Sequence, residues 1–518
     1  MTLRSLARRF APLLLSLTAS MTFGVSIALA SAPHLCGFDR STGVGWQRAP
    51  PPVVDYLDSI AQGRFDLRAA CAHWAGTFSK RRLAIANSDS NLRPLSARMI
   101  FFPAAGMNQR QLVDWLKHTG YVRGIERAHN FVVATFSNRI PTHRLREILD
   151  APQVEYAEPD CDGPDFLTTS MELPPSIAST SNCWQRSARA TYPNDPCMDE
   201  LWGHTKIGWD SAVAARSLPR LVAVLDSGID AAHEDLGKGV VVRMVSHEPP
   251  RSQGRWLNAR CATNGRCFPH GTEMAGTIGG RMDNGIGIAG VAPNSQMLPI
   301  VISRVGHGLL GRLSTIAEAI DAAVLDDADV INISAKWPVD SRAISDSVRA
   351  AISGENGTRR LLVTGYATSL DSDETVREYF PSQYRCLPGV LAAVPADMRG
   401  HDLFNPKGRP DPNDGRIQAP GVDIVVTTTE NSERGYALSG AAGASSAAAY
   451  VSGAVALVWG SPPLNKCDAQ QIKQLLFCRS KSSDSTRYPW VHVEFLRELE
   501  KIDPGADCRS AIEALGCG

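Results

Sequence analysis

The sequence lacks several features that would direct it to particular partners. Neither charge is in surplus, since 53 Lys and Arg balance 53 Asp and Glu, and no Lys/Arg run is long enough to point to a polyanion. Neither nucleic acid nor an anionic membrane surface is therefore expected as a partner. None of the 12 cysteines falls in a C-x-x-C, which argues against a zinc site. After residue 30 no continuous apolar run is long enough to cross a bilayer, so no membrane span is expected there.

The 518 residues exceed what one small core organises, and two or three domains are the natural expectation. A hydrophobic fraction of 43% with 20% charged residues describes an ordinary globular chain. Arg4, Arg8 and Arg9 precede an interrupted apolar stretch that ends Ala28-Leu29-Ala30. That order reads as a removed signal peptide over residues 1–30 rather than a retained anchor, giving a secreted or periplasmic protein with no membrane attachment after signal removal. The residues after Arg8-Arg9 do not complete a twin-arginine signal. All the cysteines follow residue 30, and their even number suits an oxidising compartment. Cys183/Cys197, Cys261/Cys267, Cys467/Cys478 and Cys508/Cys517 are close enough in sequence to form local disulfides.

Residues 31–95 suggest a helix but no function. From Arg98 the pattern sharpens. "RMIFF" reads as a strand, "NQRQLVDWLKH" as an amphipathic helix, Tyr121 to Ile125 and "NFVVATF" as strands, "THRLREIL" as a short helix and "VEYAEPD" as an extended finish. This β-α-β-β-α-β order predicts a small α+β, ferredoxin-like sandwich over residues 96–160. A Ser/Thr/Pro-rich linker covers 161–192. Beyond it, apolar runs ("LVAVLD", "VVVRMV", "MLPIVI", "DVINIS", "LLVTG", "GVLAAV", "DIVVTT") alternate with helix-length segments near 270–280, 312–326, 342–353, 446–459 and 469–477. The alternation predicts a doubly wound α/β domain over 193–480, a parallel sheet with helices on both faces and a site at the carboxyl ends of its strands. Residues 481–518 form a cysteine-containing tail.

Three residues fall at such strand ends or helix starts. Asp226 closes "VAVLD", His270 opens "HGTEMAGTIGG" and Ser445 lies in "GASSAAAYVSGA". Alone, each has an ordinary reading: an Asx turn, a capping or buried histidine, a tightly packed helix start. Together they form a proton-relay set in which the carboxylate orients an imidazole, and the imidazole takes the proton of a serine that attacks a carbonyl.

"VAVLDSGIDAAHEDL", "HGTEMAGTIGG" with "GIGIAGVAP", and "GASSAAAYVSGAVAL" resemble the three catalytic blocks of subtilisin-like serine proteases, in that family's order. "YPNDPCMDELWGHTKI" and "IQAPGVDIVVTT" are similar to flanking segments, and the sandwich ending "VEYAEPD" resembles the family's inhibitory prodomain. The resemblance covers about residues 98–480. It implies an exported serine endopeptidase that acts on polypeptides, with Asp226, His270 and Ser445 as the triad and its own prodomain as an intramolecular inhibitor. An ungapped match puts Ser445, not Ser446, at the nucleophile position. The chemistry requires no cofactor. Asp235, and separately Asn284 of the "MDNGIG" loop, match segments that often bind calcium in the family, so they are either a structural calcium site or a surface turn.

The chain also departs from the family pattern. Tyr366 stands where an Asn amide normally helps hold the oxyanion, so it is either a substitute donor or a pocket wall. Ala444 replaces a Thr, and Glu273 replaces the second His of "HGTH". Ser334 fits the Ser-x-Gly strand that pairs with extended substrates, but Lys336 takes the Gly position, where it would narrow the cleft, attract an acidic side chain or simply extend into solvent. These changes motivate an alternative, a catalytically impaired relative that binds extended peptides. An α/β-hydrolase is disfavoured because it needs its acid and histidine after the nucleophile.

Overall fold

The structure, a computed structural model, describes residues 51–59, 63, 65–75, 97–137, 140–162, 182–237, 239–242, 269–302, 311–353, 360–370, 376–402, 415–428, 435–439, 443–480 and 488–517. The expected signal peptide, most of the expected linker and the Cys261/Cys267 pair lie outside these residues.

The predicted sandwich is present. Strands β1 (Arg98–Pro103), β2 (Val122–Arg127), β3 (Val132–Phe136) and β4 (Val154–Pro159) form an antiparallel sheet of order β2-β3-β1-β4, carrying helices α3 (Gln109–His118) and α4 (Thr142–Leu149). Helix α3 starts where Asn108 and Gln111 reciprocally cap its first turn, a sequence-local signal. Two earlier helices, α1 (Pro51–Ser59) and α2 (Leu67–Trp74), lie in the segment for which the sequence suggests no role. They bury Val53, Leu57, Leu67 and Ala70 in the same apolar cluster as the sandwich. A disulfide from Cys71 to Cys161 fastens α2 to the chain just beyond β4.

The second body is the predicted doubly wound domain. Strands β5 (Leu221–Asp226), β6 (Gln296–Val301), β7 (Val330–Ile333), β8 (Leu361–Gly365), β11 (Val390–Ala396) and β12 (Arg416–Pro420) form a six-stranded sheet of order β12-β11-β8-β7-β5-β6, parallel throughout. Alternate residues of β5 divide between two cores. Val222 and Val224 pack with helices α5 (His270–Gly279) and α8 (Ala444–Gly460), whereas Ala223 and Leu225 face α6 (Leu313–Leu325) and α7 (Arg342–Ile352). Two small antiparallel pairs complete the domain: β9 (Thr368–Leu370) with β10 (Val376–Glu378), and β13 (Ile424–Thr427) with β14 (Tyr436–Ser439).

Three sequence expectations are corrected. "DIVVTT" is β13 of the β13–β14 pair and not a sheet strand; the sheet's edge is β12, from the preceding "RIQAP". Of "VVVRMV", the described residues contribute only a bridge from Val241 to Met297. The C-terminal cysteines pair Cys467–Cys508 and Cys478–Cys517 rather than with their sequence neighbours. Cys467 and Cys478 bracket helix α9 (Ala469–Arg479), and Cys508 and Cys517 bracket α10 (Cys508–Ala514). At about 1.5 Å per residue a helix holds such neighbours too far apart to bond, so the bridges clamp the two helices together at both ends. Cys183–Cys197 forms as expected. The tail is not peripheral: Val491, Phe495 and Leu496 enter the core, and Trp490 bridges Gln418 on edge strand β12.

The sandwich docks on the α6/α7 side through two buried carboxylates. Glu158 accepts hydrogen bonds from Ser341 Oγ (2.7 Å), Arg342 N (2.9 Å), Ala343 N (3.2 Å) and Tyr156 Oη (3.1 Å), so it caps the start of α7. Asp160 accepts from Ser314 N (3.0 Å) and Oγ (2.9 Å) at the start of α6, and from Arg98 Nε at 3.0 Å. The Arg342 guanidinium lies 4.4 Å from the Phe102 ring centroid. Helix starts present unsatisfied N–H groups and a positive dipole end, both suited to a carboxylate. Glu158→Ala should lower the unfolding free energy of uncut protein by about 1–3 kcal/mol, read from the denaturant midpoint. An unchanged midpoint would mean that these bonds do not hold the interface.

Candidate active site

Three elements meet at the carboxyl edge of the sheet. Asp226 ends β5 and is buried. Both its oxygens lie 2.9 Å from His270 Nδ1, and Oδ1 also accepts the Ser227 N–H at 2.7 Å. His270 opens α5, and the helix comes this close because the next residue is glycine. A Cβ on Gly271 would fall 2.2 Å from the Gly228 carbonyl oxygen. The Ser227 hydroxyl accepts the Gly271 N–H at 3.0 Å and pins the same turn; the sequence alone does not single this serine out.

Burial disfavours the His270 imidazolium, but the Asp226 charge and hydrogen bond outweigh it, so the ring titrates above the usual histidine value. With Nδ1–H donated to Asp226, Nε2 is left as the acceptor that a general base needs.

Of the two adjacent serines, Ser446 is fully buried and its hydroxyl has no hydrogen-bond partner among the described residues. Ser445, in the first turn of α8, is partly exposed. Its hydroxyl donates to the Ser334 carbonyl at 3.4 Å, and Ser334 Oγ reaches the Ser445 carbonyl at 3.4 Å. Ser334, expected to bind substrate, thus sits against Ser445. Ser445 makes no hydrogen bond to His270 in this conformation. The α8 start is reached closely from β8, since a Cβ on Gly365 would lie 2.7 Å from the Ala444 carbonyl.

Tyr366 follows Gly365 and by strand alternation faces the opposite side. Its ring is fully buried and packs with Ala392, Val394 and Tyr488. Its hydroxyl accepts from Arg416 Nη1 at 3.3 Å, and the Arg416 and Arg385 guanidiniums lie 5.3 and 5.8 Å from its centroid. The phenol is therefore packed away from the α8 side, which gives the donor alternative of the two readings no geometric support.

The sequence model of the Subtilase family matches residues 220–488. The chain is 32% identical over 244 residues to subtilisin of Bacillus pumilus, covering 47% of this chain and 77% of that protein. It is 29% identical over 364 residues to fervidolysin of Fervidobacterium pennivorans, covering 65% of this chain and 48% of that one. The crystal structure of fervidolysin, titled a keratinolytic enzyme related to subtilisin, superposes with a TM-score of 0.56 at 22% identity, over 80% of this chain and 62% of that one. The chain belongs to the subtilase family.

Within this subtilase, Asp235 and Asn284 do come together, but the set does not fit a calcium ion. Asp235 is buried, and its oxygens already accept from Asn284 Nδ2 (2.8 Å), Ile288 N (3.0 Å) and Tyr436 Oη (2.8 Å). Asn284 Oδ1 accepts the Ile286 N–H at 3.0 Å, and neighbouring Asp195 accepts from Asp283 N and Asn284 N at 2.8 and 3.1 Å. Calcium wants six to eight oxygens turned inward, whereas these carboxylates are met by donors.

Two outcomes follow for this subtilase. Titration of the His270 C2 proton by NMR should give a pKa above about 6.5, falling in Asp226→Asn; equal values in the two proteins would remove Asp226 as the cause. EDTA should shift the melting temperature by less than about 2 °C, whereas Tyr436→Phe should cost about 1–3 kcal/mol. A calcium-dependent stabilisation abolished by Asp235→Asn would overturn the second.

Proposed function

We propose that this subtilase is an exported serine endopeptidase, made as a precursor that its sandwich domain inhibits, and that it hydrolyses peptide bonds through an acyl-enzyme on Ser445. The observation that carries this reading is the Asp226–His270 pair, held at the sheet edge by a helix packed against the one whose first turn holds Ser445. In this reading the Ser445 hydroxyl leaves the Ser334 carbonyl and bonds to His270 Nε2 when substrate is bound, since such bonds are commonly loose without it. His270 then takes the proton as Ser445 Oγ bonds to the carbonyl carbon. The imidazolium returns that proton to the leaving amine as the C–N bond breaks, and water repeats the sequence to free the acid. The Ser445 N–H lies in the first turn of α8, where the helix dipole favours a developing oxyanion, and in this reading it donates to it.

Tyr366 adds no donor in this reading, so turnover falls below that of relatives with the Asn. Loss of that Asn costs about 10²–10³ in kcat, a figure measured in subtilisin itself rather than derived from this chain. The disulfides suit export, and the docked carboxylates Glu158 and Asp160 hold the sandwich where its continuation leads into the linker. Self-cleavage then falls within residues 160–192.

A second reading, a peptide-binding relative without turnover, draws on the Ser445–Ser334 contact and the inward-packed Tyr366. A fluorophosphonate probe with peptide mapping separates the two. Labelling on Ser445, with self-processing in wild type and none in Ser445→Ala, is the expected outcome. A folded, processed protein that resists the probe supports the binder, and equal processing of both forms means that another protease cuts.

A further inference from the structure

We propose that Lys336 makes this subtilase select substrates with an acidic side chain beside the scissile bond. This deepens the endopeptidase reading and rests on it.

Neighbouring strands β7 and β8 each send a segment past the sheet edge, and the two segments flank the serine. On one side the Ser334 carbonyl lies 3.4 Å from Ser445 Oγ. On the other, Gly365 packs against Ala444. Tyr379 and Phe380 join the segments: Trp337 and Phe380 exchange both backbone hydrogen bonds at 2.9 Å, and the Tyr379 N–H donates to the Ala367 carbonyl at 3.0 Å. Lys336 sits two residues after Ser334. Its Nζ lies 4.9 Å from the Tyr379 ring centroid, so the ammonium rests on the aromatic group that links the two walls.

Lys336 is half-buried, and it forms no ion pair with any described residue. Burial lowers its pKa, and no carboxylate among the described residues acts against that. A ring face replaces only part of the hydration that such an ammonium loses. A carboxylate arriving on a peptide would supply the missing counter-charge, while a basic side chain would meet like charge in a partly desolvated space. Selection therefore has an attractive and a repulsive side. In an extended substrate paired along residues 334–336, the side chain concerned belongs to a residue close to the bond presented to Ser445.

The test uses processed enzyme and a synthetic peptide library, with cleavage sites mapped by mass spectrometry. The expected result is enrichment of Asp and Glu at one position flanking the cut. Matched Glu and Gln peptides should differ by about tenfold in kcat/KM. Lys336→Met, which keeps the apolar stem, should abolish the difference, and Lys336→Glu should turn the preference towards Lys and Arg. Fluorophosphonate labelling of each variant establishes that its site is assembled. A labelled wild type with a charge-indifferent profile, or a Lys336→Met variant that keeps the preference, overturns the inference alone. A folded protein that neither labels nor cleaves overturns the endopeptidase reading, and the inference with it.

Discussion

A side chain at residue 271 would collide with the Gly228 carbonyl oxygen, and the site depends on the contact that its absence permits. Because α5 can lie directly on the turn after β5, His270 reaches both oxygens of a buried Asp226. Gly365 does the same for the serine, bringing the end of β8 against the residue before Ser445. The three residues of the proposed triad are thus carried by strand and helix ends rather than long loops, and such rigidity is what a proton relay needs to stay in register.

The other side of the sheet solves a different problem. Helices α6 and α7 begin with N–H groups that need partners, and Glu158 and Asp160 of the sandwich supply them. Burying these carboxylates carries a desolvation cost, seen in the Glu158 carboxyl being pushed up to about 7. Four donors offset that cost for Glu158, and a misplaced sandwich would leave the charge bare. The contact therefore fixes where the domain sits more than it adds to stability. The Cys71–Cys161 bridge acts on the same stretch, since Leu313 N donates to the Cys161 carbonyl at 3.0 Å. Helices α1 and α2 thereby belong physically to the docking device.

The parts legible in the sequence were those with a local cause. "LVAVLD" marks β5 because every residue is apolar until the carboxylate that ends it, and the Asn108–Gln111 box marks the start of α3. Ser445 is separable from Ser446 only by register against known blocks; in the structure Ser446 is fully buried and Ser445 partly exposed. What was not legible depends on distant partners. Cysteine spacing suggested Cys467 with Cys478, but the helix between them forbids it. "DIVVTT" has the pattern of a buried strand, and only its partner β14 places it outside the sheet. Nothing local to Glu158 or Asp160 announces the helices they cap.

Three positions that the family resemblance singles out differ in one respect that the fold makes visible. Tyr366 removes an amide from the site, but its ring and hydroxyl are taken up by Arg416, Arg385 and Tyr488. Asp235 is a buried carboxylate whose charge is met by Asn284, Ile288 and Tyr436. In both places the side chain finds its partners within the protein. Lys336 has only an aromatic face beneath it and no counter-charge among the described residues. A partly desolvated charge without a partner is costly where nothing binds. In a cleft flanking a serine that cost has a use, because whatever supplies the opposite charge is held where the reaction occurs.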